Sequence, residues 1–172
     1  MSTSVITVWT VGHSTHPLPA LLSVLQGQRI EVVADVRSQP YSRRNPQFNR
    51  EGFAAAVREA GLEYLYLGTE LGGRPAEPEF YDGEGHVRYA AVAATPRFVA
   101  GLERLLARSA TQRVTIMCSE EDPARCHRRL LVGRALTGRG VAVNHIRGDG
   151  SVVDEANLGP FQQDMDQGTL FG

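Results

Sequence analysis

Cys118 stands at the end of the apolar run Val114 to Met117, and Arg125, Cys126, His127, Arg128 and Arg129 follow it closely. A strand predicted over this run would deliver the thiol into a short loop. A helix is then predicted to open at Asp122-Pro123, run through Leu130, Leu131 and Leu136, and stop near Gly138. A helix N-terminus has free N–H groups and the positive end of a dipole, so it cradles an anion and favours a thiolate. Cys118 is therefore a candidate nucleophile or a tuned structural thiol, with His127 and Arg128 placed to bind substrate. Glu120, Glu121 and Asp122 oppose this, since acids raise a thiol pKa and can cap the helix themselves. The plainer alternative is a buried cysteine beside arginines engaged in surface ion pairs.

Other apolar runs also end in polar or reactive groups. Val5 to Val11 ends in Gly12, His13 and Ser14; Ile30 to Val36 contains Asp35 and runs into Arg37, Ser42, Arg43 and Arg44. Leu62 to Leu67 leads to Gly72, Gly73 and Arg74, and Val141 to Ile146 contains His145. In an open parallel sheet, ligands bind outside the carboxyl ends of the strands. Convergence of these endings predicts a site for a phosphate- or carboxylate-bearing small molecule, with nucleotides and nucleic acid among the candidate partners. Arg37, Arg43 and Arg128 would bind the anion bidentately. His13 or His145 would act as general acid or base, because imidazole changes charge near neutral pH. Asp35 or Glu120 would orient an imidazole or an arginine. Ser14, Ser42, Gly72, Gly73 and His127 would line the substrate side.

A metal centre is the rival reading, since Cys118, Cys126, His127, His13 and His145 include soft and imidazole ligands for zinc. Spacing argues against it. Seven residues separate the two cysteines, and neighbours such as Cys126 and His127 point about 100° apart on a helix. No metal ligand is assigned on this basis, and no cofactor is indicated. Two cysteines without an export signal do not form a disulfide framework, so reduced thiols are expected.

The elements that must position these groups alternate. Strands are predicted over Val5 to Val11, Ile30 to Val36, Leu62 to Leu67, Arg113 to Met117 and Val141 to Ile146. Helices are predicted over Leu18 to Gln28, from an Asn49 cap to Gly61, and from a Thr95-Pro96 start to about Arg108, besides the one after Cys118. This order specifies an α/β fold: a three-layer αβα sandwich whose central sheet is mainly parallel and has about five strands. Residues 1–148 read as a single domain with a long loop excursion over 68–94, partly ordered by Phe80, Tyr81 and Tyr89. Residues 149–172 read as an acidic C-terminal tail.

All 18 basic side chains are arginine, which excludes a Schiff-base lysine and a lysine-bearing phosphate loop. Asp149, Asp154, Glu155, Asp164 and Asp166 make the tail acidic, while the net charge of −1 gives no global drive toward nucleic acid or anionic membrane. No apolar run approaches the roughly 18 residues of a membrane span, so a soluble cytoplasmic protein is expected.

The order of strand, Cys118, arginine-bearing loop, helix, glycine and strand resembles the rhodanese and cysteine-dependent phosphatase loops. Six residues separate Cys118 from Arg125, one more than in a phosphatase loop, and the converging glycines are missing. A Cys118-dependent sulfurtransferase or redox role, and a non-catalytic nucleic-acid-associated module, are therefore carried as alternatives to an anion-binding enzyme. Taken together, Val11-Gly12-His13-Ser14, Asp35-Val36-Arg37 with Pro40 and Ser42, Phe48-Asn49, Leu71-Gly72-Gly73, Met117-Cys118-Ser119-Glu120, Asp122-Pro123, Cys126-His127-Arg128 and His145-Ile146 resemble the domain of unknown function 488 family. The resemblance implies a cytoplasmic α/β protein of unestablished reaction. The ending Gln167 to Phe171 resembles the peptides that dock onto the bacterial sliding clamp, unless Leu170 and Phe171 fold back on the body.

Overall fold

A computed structural model describes residues 3–161 and 167–168 of the chain. Strands β1 (Thr7–Gly12), β2 (Val32–Asp35), β3 (Glu63–Tyr66), β5 (Val114–Cys118) and β6 (Ala142–Ile146) lie parallel, in the order β3-β2-β5-β1-β6. The expected count of about five strands falls short by one. The sixth, β7 (Val152–Asp154), comes from the segment read as tail and closes the sheet antiparallel to β6, pairing His145 with Val153. Three residues are too few for an alternation that a sequence pattern could register. The sheet is therefore mixed and mostly parallel.

Successive strand residues serve opposite faces, as the pleat requires. Val8, Ala34 and Ile116 join one apolar cluster with Leu102, Leu105, Leu131 and Leu136, whereas Trp9, Val33 and Met117 join another with Leu21, Leu25, Phe53 and Val57. Helices α1 (Leu18–Gly27) and α2 (Arg50–Glu59) cover the second face. Helix α5 (Pro96–Ser109) and the 128–138 helical segment cover the first.

Helix α5 begins where the sequence places it: the Thr95 hydroxyl accepts a hydrogen bond from the Phe98 N–H, a cap worth about 1 kcal/mol. Asn49 departs from expectation. It precedes α2, but its Oδ1 accepts from the Ser42 N–H at 2.7 Å instead of capping the helix. It thereby ties down the loop between β2 and α2.

The helix after Cys118 departs further. Asp122 caps only a 3₁₀ turn, Pro123–Arg125, by accepting from the Ala124 N–H. Cys126 is then extended, at φ −111° and ψ 143°. Helical structure restarts as a π-type segment, Arg128–Gly133, and continues into α6 (Arg134–Gly138). The excursion contains α3 (Gly68–Leu71), β4 (Val87–Arg88) and α4 (Tyr89–Ala93), with Val87, Tyr89 and Val92 in the core. Gln167–Gly168 forms β8, antiparallel to β4. Leu170 and Phe171 of the expected docking peptide lie outside the described residues. Among those residues no helix is long and apolar enough to cross a membrane.

Candidate active site

Strands β2, β5 and β1 are neighbours in the sheet, so their carboxyl ends emerge side by side. The pairing continues past the strands: His13 N–H donates to the Cys118 carbonyl at 2.9 Å and Ser14 N–H to that of Ser119 at 2.9 Å. Such close approach requires Gly12, where a Cβ would lie 1.6 Å from the Glu120 carbonyl oxygen. A cavity of about 560 Å³ opens at this edge. Of the predicted residues it is lined by His13, Arg37, Ser42, Gly73, Cys118 and His127. Ser14 and Glu120 line an adjoining hollow that shares His13 and Ser119 with it.

Cys118, His127 and Cys126 form the centre of this edge. The His127 ring uses Nε2–H to donate to the Val36 carbonyl at 2.9 Å, which leaves the Nδ1 lone pair facing the thiols. Cys118 Sγ lies 3.4 Å from that Nδ1 and Cys126 Sγ 4.0 Å from it. The Cys118 thiol is pulled down to about 7 by the hydrogen bond from Cys126, by the Arg128 charge and by the Ser119 N–H, which together outweigh burial. Burial and the neighbouring Cys118 push Cys126 the other way. Gly73 packs directly on the imidazole, since a Cβ there would lie 2.6 Å from the His127 ring.

Among the described residues, these three also form a group able to hold a metal, with ligand atoms all within 4.8 Å of one another. Only a continuous helix through Cys126 and His127 would point the two side chains apart. Because Cys126 is extended, the two side chains converge instead of diverging.

Arg37 reaches the cavity along a fixed path. Its Nε and Nη2 donate to the two Asp35 carboxylate oxygens at 2.9 and 2.8 Å, and the Tyr64 hydroxyl donates to Oδ2 at 2.6 Å. Asp35 is fully buried, and its two oxygens are committed to Arg37 and Tyr64. The remaining Arg37 nitrogen, Nη1, is 3.4 Å from His13 Nε2. His13 donates from Nδ1 to the Ser14 carbonyl at 2.8 Å and stacks on Phe48 with ring centroids 4.3 Å apart. Burial lowers its pKa to about 4, so at neutral pH the ring is uncharged and Nε2 is an acceptor.

Two predicted residues lie behind the site. Arg128 is fully buried and spends its guanidinium on Thr10 Oγ1 and on the Glu120 and Glu121 carbonyls. It braces the loop after Cys118 and does not line the cavity. His145 is also fully buried, with Nδ1 at 2.6 Å from Thr10 Oγ1 and Nε2 at 3.6 Å from Glu155. Arg43 is exposed on the β2–α2 loop and outside the cavity lining. Gly72 sits below the floor, where a Cβ would meet Ser38 Oγ at 2.2 Å.

Ser38 and Asn45 line the cavity without having been singled out, and Ser119 was named only within the Met117-Cys118-Ser119-Glu120 motif. The first two belong to the polar 37–48 loop that already supplied Ser42, so that loop was the available signal. Tyr64 carried none, because a tyrosine in a strand is ordinary β composition.

No curated protein and no solved structure matches this chain. The model of one family, described as the domain of unknown function DUF488, matches residues 17–135. That span contains Asp35, Arg37, Gly73, Cys118, Cys126 and His127, the groups that build the centre of the cavity. The chain belongs to the DUF488 family.

Proposed function

We propose that this protein is an enzyme that takes a small phosphate- or carboxylate-bearing substrate, up to nucleotide size, into the 560 Å³ cavity and attacks it with the Cys118 sulfur. The observation that carries the reading is the pairing of Cys118 Sγ with His127 Nδ1 at 3.4 Å while Val36 holds the other ring nitrogen. A nucleophile, a base within reach and a third group that orients the base are the parts an activated nucleophile needs. The Cys118 proton passes to His127 Nδ1; as sulfur bonds to the substrate's electrophilic atom, the bond from that atom to the leaving group breaks, and the imidazolium, still donating to the Val36 carbonyl, gives the proton to the departing group. Arg37, ion-paired to Asp35 through Nε and Nη2, presents Nη1 as a fixed N–H donor at the cavity wall. Neutral His13 turns Nε2 toward Arg37 Nη1 and so helps to hold that guanidinium at the cavity wall. Transfer to water, to a second substrate or of a sulfur atom, as in a rhodanese-like reaction, would use this same nucleophile.

The test is alkylation of the reduced, chelator-treated protein with iodoacetate and iodoacetamide, followed by peptide mapping. Cys118 is expected to react while Cys126 does not, to prefer the anionic reagent relative to a free thiol, and to be protected by inorganic phosphate. An unreactive Cys118, or one with no anion preference and no phosphate protection, removes the reading.

A further inference from the structure

We propose that Cys118, Cys126 and His127 form a binding site for a thiophilic divalent cation, with zinc as the reference ion and a fourth coordination position open to the cavity. The inference goes beyond the reading above, because it depends on ligation alone and not on any attack by Cys118.

Four observations carry it. A tetrahedral zinc with sulfur at about 2.3 Å and nitrogen at about 2.0 Å sets sulfur and nitrogen about 3.5 Å apart and two sulfurs about 3.8 Å apart. The observed sulfur-to-Nδ1 separations are 3.4 and 4.0 Å, and all three ligand atoms lie within 4.8 Å of one another. Second, His127 is held as a ligand histidine usually is. Its distal Nε2–H is fixed on the Val36 carbonyl, which leaves Nδ1 as the free donor aimed at the sulfurs.

Third, a backbone N–H points at the inner sulfur: Arg128 N–H donates to Cys126 Sγ at 3.5 Å. Fourth, Cys118 and His127 line the cavity whereas Cys126 lies beneath it with no exposure. Three protein ligands on one side and a cavity on the other is the open geometry of a reactive zinc site, in which water or a substrate oxygen completes the tetrahedron. Cys126, which the proposed reaction does not use, acquires a role as the inner ligand.

Loading would replace the thiol protons of Cys118 and Cys126 by the ion, releasing protons to solvent without any change in oxidation state. It would also tie up the Cys118 sulfur. Zinc at about 100 times its Kd leaves roughly 1% of sites unliganded and should slow Cys118 alkylation about 100-fold.

The experiment titrates Co²⁺ into the full-length, reduced, metal-free protein and reads the visible spectrum. Intense ligand-field bands of tetrahedral cobalt with a sulfur-to-cobalt charge-transfer band, saturating at one ion per chain and displaced by Zn²⁺, are expected. Cys126→Ser should weaken the charge-transfer band, and His127→Ala should alter the ligand-field bands. Circular dichroism shows whether each variant is folded. If Cys126→Ser fails to fold, wild-type protein carboxamidomethylated at Cys118 serves in its place and should lose the spectrum. Absence of the bands in wild-type protein, or bands unchanged when a ligand is altered or blocked, overturns the site. Rapid alkylation of Cys118 without cobalt bands overturns this inference and leaves the proposed function standing. Cobalt bands with an unreactive Cys118 do the reverse.

Discussion

Arg128 and Thr10 meet behind the cavity: the arginine Nε donates to Thr10 Oγ1 at 3.1 Å, and that hydroxyl in turn lies 2.6 Å from His145 Nδ1. The same guanidinium holds the Glu120 and Glu121 carbonyls, so the loop after Cys118 is fastened to β1 from behind. Arg128→Leu is expected to cost about 3 kcal/mol or more, because buried carbonyls and Thr10 lose their partner together. Urea unfolding measures this, and a cost below about 1 kcal/mol would mean the brace is not structural.

Asp35 and Arg37 form a buried ion pair that Tyr64 completes. Asp35→Ala strands the guanidinium and should cost about 3–5 kcal/mol. Tyr64→Phe removes one hydrogen bond to a charged group and should cost about 1.5–3 kcal/mol. The order of the two unfolding midpoints is the check, and equal midpoints would contradict it.

Gly73→Ala places a Cβ against the His127 ring at 2.6 Å. Ring displacement should cost about 1–3 kcal/mol. It should also slow alkylation of Cys118 in the metal-free protein, since the imidazole leaves its thiol. A variant that alkylates at the wild-type rate would separate His127 from the reactivity of Cys118.

Acid should weaken the β6–β7 end of the sheet in two stages. His145 is lowered from 6.5 chiefly by burial, so its unfolded form binds a proton first and stability falls as pH drops below about 6.5. Burial pushes the Glu155 carboxyl up, but the nearby His145 ring and the Arg129 hydrogen bonds outweigh it and hold it below 4.5, so the stability it contributes is lost as pH falls through that region. Urea midpoints against pH should slope less above pH 4.5 in His145→Gln and less below it in Glu155→Gln. An unchanged slope in both variants would place the acid sensitivity elsewhere.

The alternation of apolar runs with helical patterns was enough to specify parallel strands with helices on both faces, because each run of Val32 to Asp35 type must bury two faces. The cap at Thr95 and the stop at Gly61, whose φ is +84°, were legible for the same local reason: each depends on a few adjacent residues. Strand endings likewise brought His13, Arg37 and Cys118 to one edge, since a parallel sheet aligns the carboxyl ends of its strands.

Long-range commitments decided the rest. Nothing local distinguishes Arg37, which faces the cavity, from Arg128, which is consumed by Thr10 and two carbonyls. Both are arginines beside a strand end or helix start, and only the partners available in three dimensions separate them. His145 is buried because β7 pairs alongside it, and Val152–Asp154 becomes a strand only by meeting β6. The extended conformation of Cys126 turns an unpromising spacing into three converging donors. Local patterning is enough for the layers and for which strand ends face together; side-chain direction at that edge is settled by tertiary packing, because a buried polar group goes wherever its hydrogen bonds can be met.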